Sequence, residues 1–214
     1  MLDTHGFDLW AEGYDKSVNA ADEDNAYPFA GYKSIMNAIY GAVMQKSPAK
    51  VLDIGVGTGV LAAKLYAGGN PITAIDFSEK MLKLAAAKMP DATFIQHDFT
   101  KGLPAEVTAA KFDFIISTYA LHHLPDDLRA ALLTGLAPYL APQGTVLVGD
   151  STFQTQAQWE ACQAAYPDDW DEDEYFAVMD TFVPRLAGVY DGQYRQISHC
   201  GGILALRPKG EPPC

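Results

Sequence analysis

Three glycines at alternate positions follow an apolar run, with an aspartate just ahead of them, in VLDIGVGTG, residues 51–59. Gly55, Gly57 and Gly59 let the chain turn sharply and let a ligand lie against bare backbone. The spacing G-x-G-x-G differs from the dinucleotide fingerprint G-x-G-x-x-G. Asp53 also argues against a pyrophosphate, because a carboxylate repels phosphate charges. A cationic ligand explains Asp53 better, and a tight strand-to-helix turn without any ligand is the structural alternative.

The run FDFIISTYALHHL, residues 112–124, ends in side chains that can exchange protons. His122 is a candidate general base at neutral pH, and Tyr119 is a second candidate. Packing in the core or exposure to solvent is the alternative for both, and for the neighbouring His123. Adjacent histidines are expected to point in different directions, and no Cys, Asp or Glu with ligand spacing surrounds them. The sequence therefore predicts no metal site.

The composition limits the class of partner. The formal net charge of −12 would repel nucleic acids and anionic bilayers, so neither is expected as a partner. Three cysteines without metal-ligand spacing suit a reducing compartment, and the N-terminus has no cationic start or apolar signal core. We expect a cytoplasmic protein that binds a small molecule. The composition leaves monomer and homodimer open.

From residue 47 onward, short apolar runs alternate with longer amphipathic ones, which is typical of a parallel sheet covered by helices. The last two predicted strands form a tight pair around Cys200 and Gly201, which would place an antiparallel strand inside the sheet. The pattern predicts an α/β, doubly wound, mostly parallel seven-stranded sheet. The predicted strands are residues 51–55, 72–76, 92–96, 112–118, 145–150, 193–199 and 202–208, and the predicted helices are residues 58–67, 78–89, 125–140, 155–165 and 172–186.

The first 46 residues contain no strand-like run. DLWAEGYDKSV and GYKSIMNAIYGAVMQ are predicted to be helices joined by a polar link. We interpret residues 1–46 as an N-terminal helical cap over the sheet edge and residues 47–214 as the α/β domain. A chain of this length buries one substantial core, so we expect a single structural domain overall.

DIGVGTG followed by AIDFSEKML resembles the nucleotide-binding core of class I S-adenosylmethionine-dependent methyltransferases, whose ligand carries an ammonium and a sulfonium. The resemblance implies a Rossmann-like domain in which Asp53 and the glycine loop contact the cofactor. It also implies that Asp76 binds the ribose hydroxyls and that Phe77 and Met81 flank the adenine. QHDF, residues 96–99, matches the segment whose acid accepts from the adenine amino group in this family. That role falls to Asp98, with Phe99 beside it.

By the same resemblance, the fourth-strand run, residues 112–124, lies beside the methionine moiety and faces the acceptor. Ser117 and Thr118 are the implied backbone contacts there, and WAEGYD in the cap brings Tyr14 in as a third candidate catalytic residue beside His122 and Tyr119. The implied reaction is in-line methyl transfer from S-adenosylmethionine to a small molecule, with S-adenosylhomocysteine as product. A non-catalytic binder of this cofactor, acting as a sensor or partner subunit, and a nicotinamide-dependent oxidoreductase are the alternatives.

The acidic run DDWDEDE, residues 168–174, is predicted to be a solvated surface, because carboxylates this dense repel one another. Insertions after the fifth strand shape the acceptor pocket in the family that the chain resembles. A cationic acceptor held by this run is therefore a second hypothesis.

Overall fold

The computed structural model describes residues 25–210. All seven predicted strands are present, and one further short strand follows the fifth. The strands are β1 (Val51–Ile54), β2 (Ile72–Asp76), β3 (Thr93–Gln96), β4 (Phe112–Thr118), β5 (Leu140–Phe153), β6 (Ala177–Val178), β7 (Tyr190–Gln196) and β8 (Gly201–Pro208).

Helices connect most of the strands. They are α1 (Tyr32–Met44), α2 (Val60–Ala67), α3 (Glu79–Lys88), α4 (Ala105–Thr108), α5 (Asp126–Leu136), α6 (Gln156–Ala165) and α7 (Met179–Leu186), with 3₁₀ turns at Phe99–Lys101, Leu121–His123 and Ala137–Tyr139. No helix between residues 25 and 210 is both long and apolar enough to cross a membrane.

The strand order is β3-β2-β1-β4-β5-β8-β7, and β6 pairs with the end of β5. Strands β1 to β5 are parallel, whereas β8 is antiparallel to both of its neighbours, β5 and β7. The predicted doubly wound sheet with an antiparallel strand inside it is confirmed. The order reverses between β1 and β4, and ligands of open α/β sheets bind at such a reversal.

Two apolar layers cover the two faces of the sheet. Helices α1, α2 and α3 pack on one face, and α4, α5 and α7 pack on the other. The central strand β1 is buried along its whole length, as expected for a strand covered on both faces. A third apolar cluster lies at the carboxyl end of β5 and includes Phe153 and Phe176.

Of the predicted cap, residues 25–46 are described, and helix α1 within them packs on the sheet as part of a core cluster. Its buried residues Ile35, Ile39 and Val43 recur every four positions and face the sheet. The helix approaches β5 so closely that a Cβ on Gly149 would lie 2.5 Å from a methyl of Ile35. Residues 1–24, which include Tyr14, lie outside the described residues.

Two predicted helix boundaries are wrong. The helix predicted to reach Leu140 ends at Leu136, because a 3₁₀ turn that contains Pro138 leads directly into the long strand β5. The helix predicted over residues 172–186 begins only at Met179, because Ala177–Val178 pair with β5 as strand β6 and the residues before them form an irregular loop. Pro184 lies inside α7 and does not break it.

The close approach of α1 to β5 makes Gly149 a sensitive position. We expect Gly149→Ala to lower the free energy of unfolding by about 1 to 3 kcal/mol, because the new methyl overpacks the helix–sheet contact. Gly135, in α5, is the matched control, since a Cβ there meets nothing within 4 Å. Gly135→Ala should be neutral or stabilising by up to about 1 kcal/mol. Urea denaturation of both variants measures the difference, and equal stabilities would contradict the close contact.

Candidate active site

A cavity opens at the carboxyl edge of the sheet, where the strand order reverses between β1 and β4. The residues that line it fall into three groups. The glycine loop and the segments beside it contribute Asp53, Gly55, Val56, Gly57, Thr58, Asp76, Phe77, Met81 and Phe99; the turn after β4 and the acidic run contribute Thr118, Tyr119, Ala120, His122, His123, Asp171 and Glu174; and the N-terminal segment adds Phe29, Tyr32 and Met36.

The three glycines of the loop serve two purposes. All have positive φ values, a conformation that side chains disfavour. A Cβ on Gly55 would lie 2.5 Å from the Cβ of Ala120, and one on Gly59 would lie 3.0 Å from the Cβ of Ala85, so these two glycines allow tight packing. A Cβ on Gly57 would meet nothing within 4 Å. Gly57 therefore leaves bare backbone at the cavity, as the sequence predicts for a ligand-binding loop.

Asp76 joins the glycine loop to the start of α3. The backbone N–H of Gly57 donates to its Oδ2 at 2.8 Å, and the N–H of Ser78 donates to its Oδ1 at 2.9 Å. Ser78 caps α3 as predicted, since its hydroxyl accepts from the N–H of Met81. The two bonds fix the orientation of the carboxylate relative to the loop and the helix. Asp76 thus shapes the loop besides facing the cavity.

Asp53 is buried, and its Oδ1 has no hydrogen-bond partner among residues 25–210. Burial, reinforced by the nearby Asp76, raises the pKa of Asp53 from 3.8 to about 8. A buried carboxylate without a partner is costly unless a cation or donor compensates it. The side chain lines the cavity, so a positively charged ligand placed there would supply what the protein lacks.

Two of the predicted cofactor residues have other partners. Asp98 caps the 3₁₀ turn that follows it, accepting from the backbone and hydroxyl of Thr100, and it pairs with Lys101. The hydroxyl of Ser117 donates to the carbonyl of Ile54 at 2.7 Å and locks β4 to β1. Neither Asp98 nor Ser117 is among the described residues that line the cavity. Their roles at the cofactor stay predictions, whereas Phe77, Met81, Phe99 and Thr118 do face the cavity.

Asp150, which the sequence interpretation assigned no role, fixes the turn that carries the histidines. It lies in the buried second half of β5, and its Oδ2 accepts from the backbone N–H groups of Leu121 and His122 at 3.0 and 3.2 Å. Its Oδ1 accepts from the Nδ1 of His122 at 2.6 Å and from the N–H of Ser151. Burial would raise the pKa of Asp150, but His122, Arg129 and these hydrogen bonds outweigh it and lower the pKa. The sequence signal that could have identified Asp150 was its position at the carboxyl end of the predicted strand 145–150.

The bond to Asp150 sets the tautomer of His122. An ionised carboxylate only accepts, so Nδ1 carries the proton and the Nε2 of the neutral ring keeps its lone pair. Nε2 lies 3.5 Å from an oxygen of Glu174, on the cavity side. Burial lowers the pKa of His122, but the charges of Asp150 and Glu174 outweigh it and raise the pKa overall.

The two histidines do not point apart, contrary to the sequence expectation. Their ring centroids are 4.1 Å apart, and the Nδ1 of His123 lies 4.0 Å from the same carboxylate oxygen of Glu174. Burial and the charge of His122 lower the pKa of His123 to about 3. Glu174, 51 positions after His123, was missed because only folding brings it to the turn.

The acidic run divides into two parts. Asp168, Asp169, Glu172 and Asp173 are exposed, as predicted for a solvated surface. Glu174 instead turns inward, and burial raises its pKa. Asp171 also lines the cavity. The predicted surface therefore contributes two carboxylates to the site.

An aromatic cluster holds the acidic run in place. The ring of Trp170 stacks on Tyr27 at 5.1 Å between centroids and meets Trp159 and Phe176 edge-on at 5.2 and 5.0 Å. Such pairs add to the apolar burial that Trp170 already gains. The loop therefore has a fixed anchor at Trp170, in the middle of a run whose other residues are mostly exposed.

Tyr119, a predicted catalytic candidate, lies at the cavity with a φ of 51°. Its ring packs against Phe29 and Tyr32, with centroids 5.5 and 5.0 Å away. These two aromatic residues come from the N-terminal segment and close one side of the cavity. Tyr14, the third predicted candidate, lies outside the described residues.

The fold and the site define a class. A doubly wound sheet with β8 antiparallel between β5 and β7, and a glycine loop at the carboxyl end of β1, is the architecture of class I S-adenosylmethionine-dependent methyltransferases. A family profile described as a methyltransferase domain matches residues 51–144. A protein from Anoxybacillus flavithermus named "Uncharacterized methyltransferase" is 36% identical over 156 residues, which cover 72% of this chain and 70% of the relative. The chain belongs to this methyltransferase family.

Solved structures agree on the fold at low sequence identity. A complex of DhpI with SAH has a TM-score of 0.66 at 19% identity and covers 97% of this chain and 95% of that chain. Magnesium protoporphyrin IX methyltransferase (ChlM) from Synechocystis PCC 6803, with bound SAH, has a TM-score of 0.65 at 18% identity and covers 83% and 84%.

Arg129, which the sequence interpretation also passed over, ties the histidine turn to the acidic run. It is buried, and it donates to the carbonyls of Leu121, Leu124 and Tyr175. We expect Arg129→Met to lower the free energy of unfolding by about 2 to 4 kcal/mol, because it leaves several buried carbonyls without donors.

Arg185 is the matched control for Arg129. It pairs with Asp126 and Asp127 at the surface and is half-exposed. Arg185→Met should cost less than about 1 kcal/mol, as is usual for surface ion pairs. Urea denaturation of the two variants measures both costs, and a cost for Arg129→Met as small as the control's would refute its role in the turn.

Proposed function

We propose that this chain transfers the methyl group of S-adenosylmethionine to a small molecule that binds at the histidine end of the cavity. The observation that carries the proposal is the buried, unpartnered Oδ1 of Asp53 beside the open backbone of Gly57. The methionine moiety of the cofactor carries a positive charge, which compensates a buried carboxylate.

The rest of the loop end fits the nucleoside part of the cofactor. Asp76 is proposed to accept from the ribose hydroxyls, and the amide bonds from Gly57 and Ser78 hold its carboxylate in place. Phe77, Met81 and Phe99 offer apolar surface to the adenine. Asp98 is proposed for the adenine amino group by family resemblance alone, since its carboxylate caps the adjacent turn.

The charge of the cavity supports a neutral or cationic small molecule as acceptor. Four carboxylates line it, from Asp53, Asp76, Asp171 and Glu174, and no Lys or Arg is among its described lining residues. An anionic acceptor would have no cationic partner there. Phe29 and Tyr32 close one side, which favours a small molecule over a protein or nucleic-acid acceptor.

The cofactor supplies an activated methyl group, so the chain has to position the acceptor and remove its proton where it carries one. Holding two reactants in near-attack geometry can account for about 7 to 11 kcal/mol of the barrier. In the metal-free protein His122 is the proton acceptor, because Asp150 holds its Nδ1–H and leaves Nε2 facing the cavity. Tyr119 and the N-terminal aromatic residues shape the acceptor side.

The division between the two ends can be tested by ligand-induced thermal stabilisation. S-adenosylhomocysteine at a hundredfold excess over Kd should stabilise the protein by about 2.7 kcal/mol, whereas NAD should not. Asp76→Ala should lose this stabilisation, because it removes the ribose partner and a tie of the loop. His122→Ala should keep it, because His122 lies at the acceptor end.

Methyl transfer itself is tested with S-adenosylmethionine labelled in the methyl group and a desalted low-molecular-mass cell extract. Labelled small molecules should form with the parent protein and fall sharply with His122→Ala. Stabilisation by NAD, or equal loss of S-adenosylhomocysteine binding in both variants, would contradict the proposal. Binding without transfer in any extract would favour a sensor.

The raised pKa of Asp53 predicts a pH-dependent affinity. At pH 6 the ligand-free carboxyl is largely protonated, because its pKa is about 8. A bound ammonium favours the carboxylate, so binding releases a proton and the affinity for S-adenosylhomocysteine rises with pH. Calorimetry should show an increase of about tenfold or more from pH 6 to pH 8. Asp53→Asn should bind more weakly with a flat profile, and an unchanged slope in that variant would exclude Asp53 as the cause.

A further inference from the structure

We propose that His122, His123 and Glu174 form a binding site for one divalent transition-metal ion at the acceptor end of the cavity. The Nε2 of His122 lies 3.5 Å from an oxygen of Glu174, and the Nδ1 of His123 lies 4.0 Å from the same oxygen. One ligand atom from each residue can be chosen such that all three lie within 4.8 Å of one another.

These separations are close to those of a real metal site. Zinc binds imidazole nitrogen and carboxylate oxygen at about 2.0 to 2.2 Å, so tetrahedral ligand atoms lie about 3.4 Å apart. Side-chain adjustments of less than about 1 Å would bring the three atoms to that spacing. Two histidines and one glutamate are the protein ligands of one kind of catalytic zinc site, which keeps its fourth position open. Two imidazole ligands also favour a transition metal over Mg²⁺ or Ca²⁺, which prefer oxygen.

Asp150 gives His122 the orientation that a ligand needs. Histidines that bind metals usually donate their second N–H to a carboxylate or carbonyl, which fixes the ring and its tautomer. The Nδ1 of His122 makes this bond to Asp150 at 2.6 Å, within a carboxylate that also holds the backbone of the same turn. Asp150 is therefore a positioning residue for the proposed site.

The third ligand is held against the turn rather than left on a free loop. The backbone N–H of Tyr175 donates to the carbonyl of His122 at 2.7 Å, directly after Glu174. Arg129 donates to the carbonyl of Tyr175 and to the turn, and Trp170 anchors the loop on the other side. Rigid ligands reduce the ordering cost of metal binding.

A metal at this place would define the acceptor class, a consequence that rests on the proposed function. Nε2 of His122 cannot both bind a metal and accept a proton, so in the metal-loaded protein the metal replaces it in activating the acceptor. The open coordination position suits a hydroxyl or thiol, whose pKa falls when its oxygen or sulfur binds the metal. Its proton then leaves to solvent, and the bound oxygen or sulfur retains a lone pair for the methyl carbon.

The site is tested on full-length, tag-free protein that has been stripped with a chelator. Zn²⁺ is titrated by calorimetry, and Co²⁺ by visible absorption, whose intensity reports tetrahedral coordination. We expect one saturable equivalent of each. His123→Ala and Glu174→Gln should weaken Zn²⁺ binding by about 100-fold or more, and Asp150→Asn by about 10- to 100-fold. Asp169→Asn changes an exposed acid of the same run and should leave the affinity unchanged.

The outcomes separate this proposal from the proposed function. No saturable binding of Zn²⁺ or Co²⁺, or equal binding by the parent, His123→Ala and Glu174→Gln, overturns the metal site. S-adenosylhomocysteine binding is measured on the same samples and should persist in every variant. Its loss in the parent would overturn the proposed function and leave metal binding to be judged by the titrations alone. Circular dichroism shows whether Asp150→Asn folds, and the two ligand variants decide the matter if it does not.

Discussion

The site depends on an electrostatic constraint. Two buried carboxyl groups lie toward the carboxyl ends of adjacent parallel strands, and each needs a partner. Asp53 belongs to β1 and Asp76 ends β2, and the two strands are paired. Asp76 is compensated by two backbone amides that the glycine turn and the start of α3 turn toward it. Asp53 receives no such bond at its Oδ1. The fold thus leaves the carboxyl group of Asp53 without a compensating partner at the point where the strand order reverses.

Asp150 shows the contrasting case, in which the protein itself supplies the partners of a buried carboxylate. Asp150 is as deeply buried as Asp53, but it accepts bonds from three backbone N–H groups and from His122. Its pKa is lowered, whereas that of Asp53 is raised to about 8. Because two equally buried aspartates have pKa values shifted in opposite directions, burial alone does not determine the direction of the shift. The protein supplies hydrogen-bond partners to Asp150, whereas at Asp53 we propose that a ligand supplies them.

The sequence predicted those features that depend on residues close together in the chain. The alternation of apolar runs predicted β1 to β5 and the hairpin of β7 and β8, and Ser78 predicted the start of α3. The glycine loop could be recognised because its three glycines lie within one strand–turn–helix unit, whereas the role of Asp76 was implied by the family resemblance. Asp150 and Glu174 were missed because they contact the histidine turn across 28 to 52 positions, and Arg129 because its bond to Tyr175 spans 46 positions; no period or motif marks such pairs. Residues 172–178 were wrongly included in a helix, because the contacts that hold them as a loop and a short strand, such as those of Glu174 and Tyr175 with the histidine turn, are not local.

The N-terminal segment and the acidic run are physically linked, which bears on how ligands enter. Tyr27 stacks on Trp170, and two residues later Phe29 packs on Tyr119 at the cavity. The carbonyl of Pro28 accepts from the hydroxyl of Ser151, at the end of β5. Rotating Phe29 away from the cavity therefore strains the same short segment that supports Trp170. Because Trp170 anchors the run that carries Glu174, this short N-terminal segment supports both the aromatic side and the acidic side of the cavity.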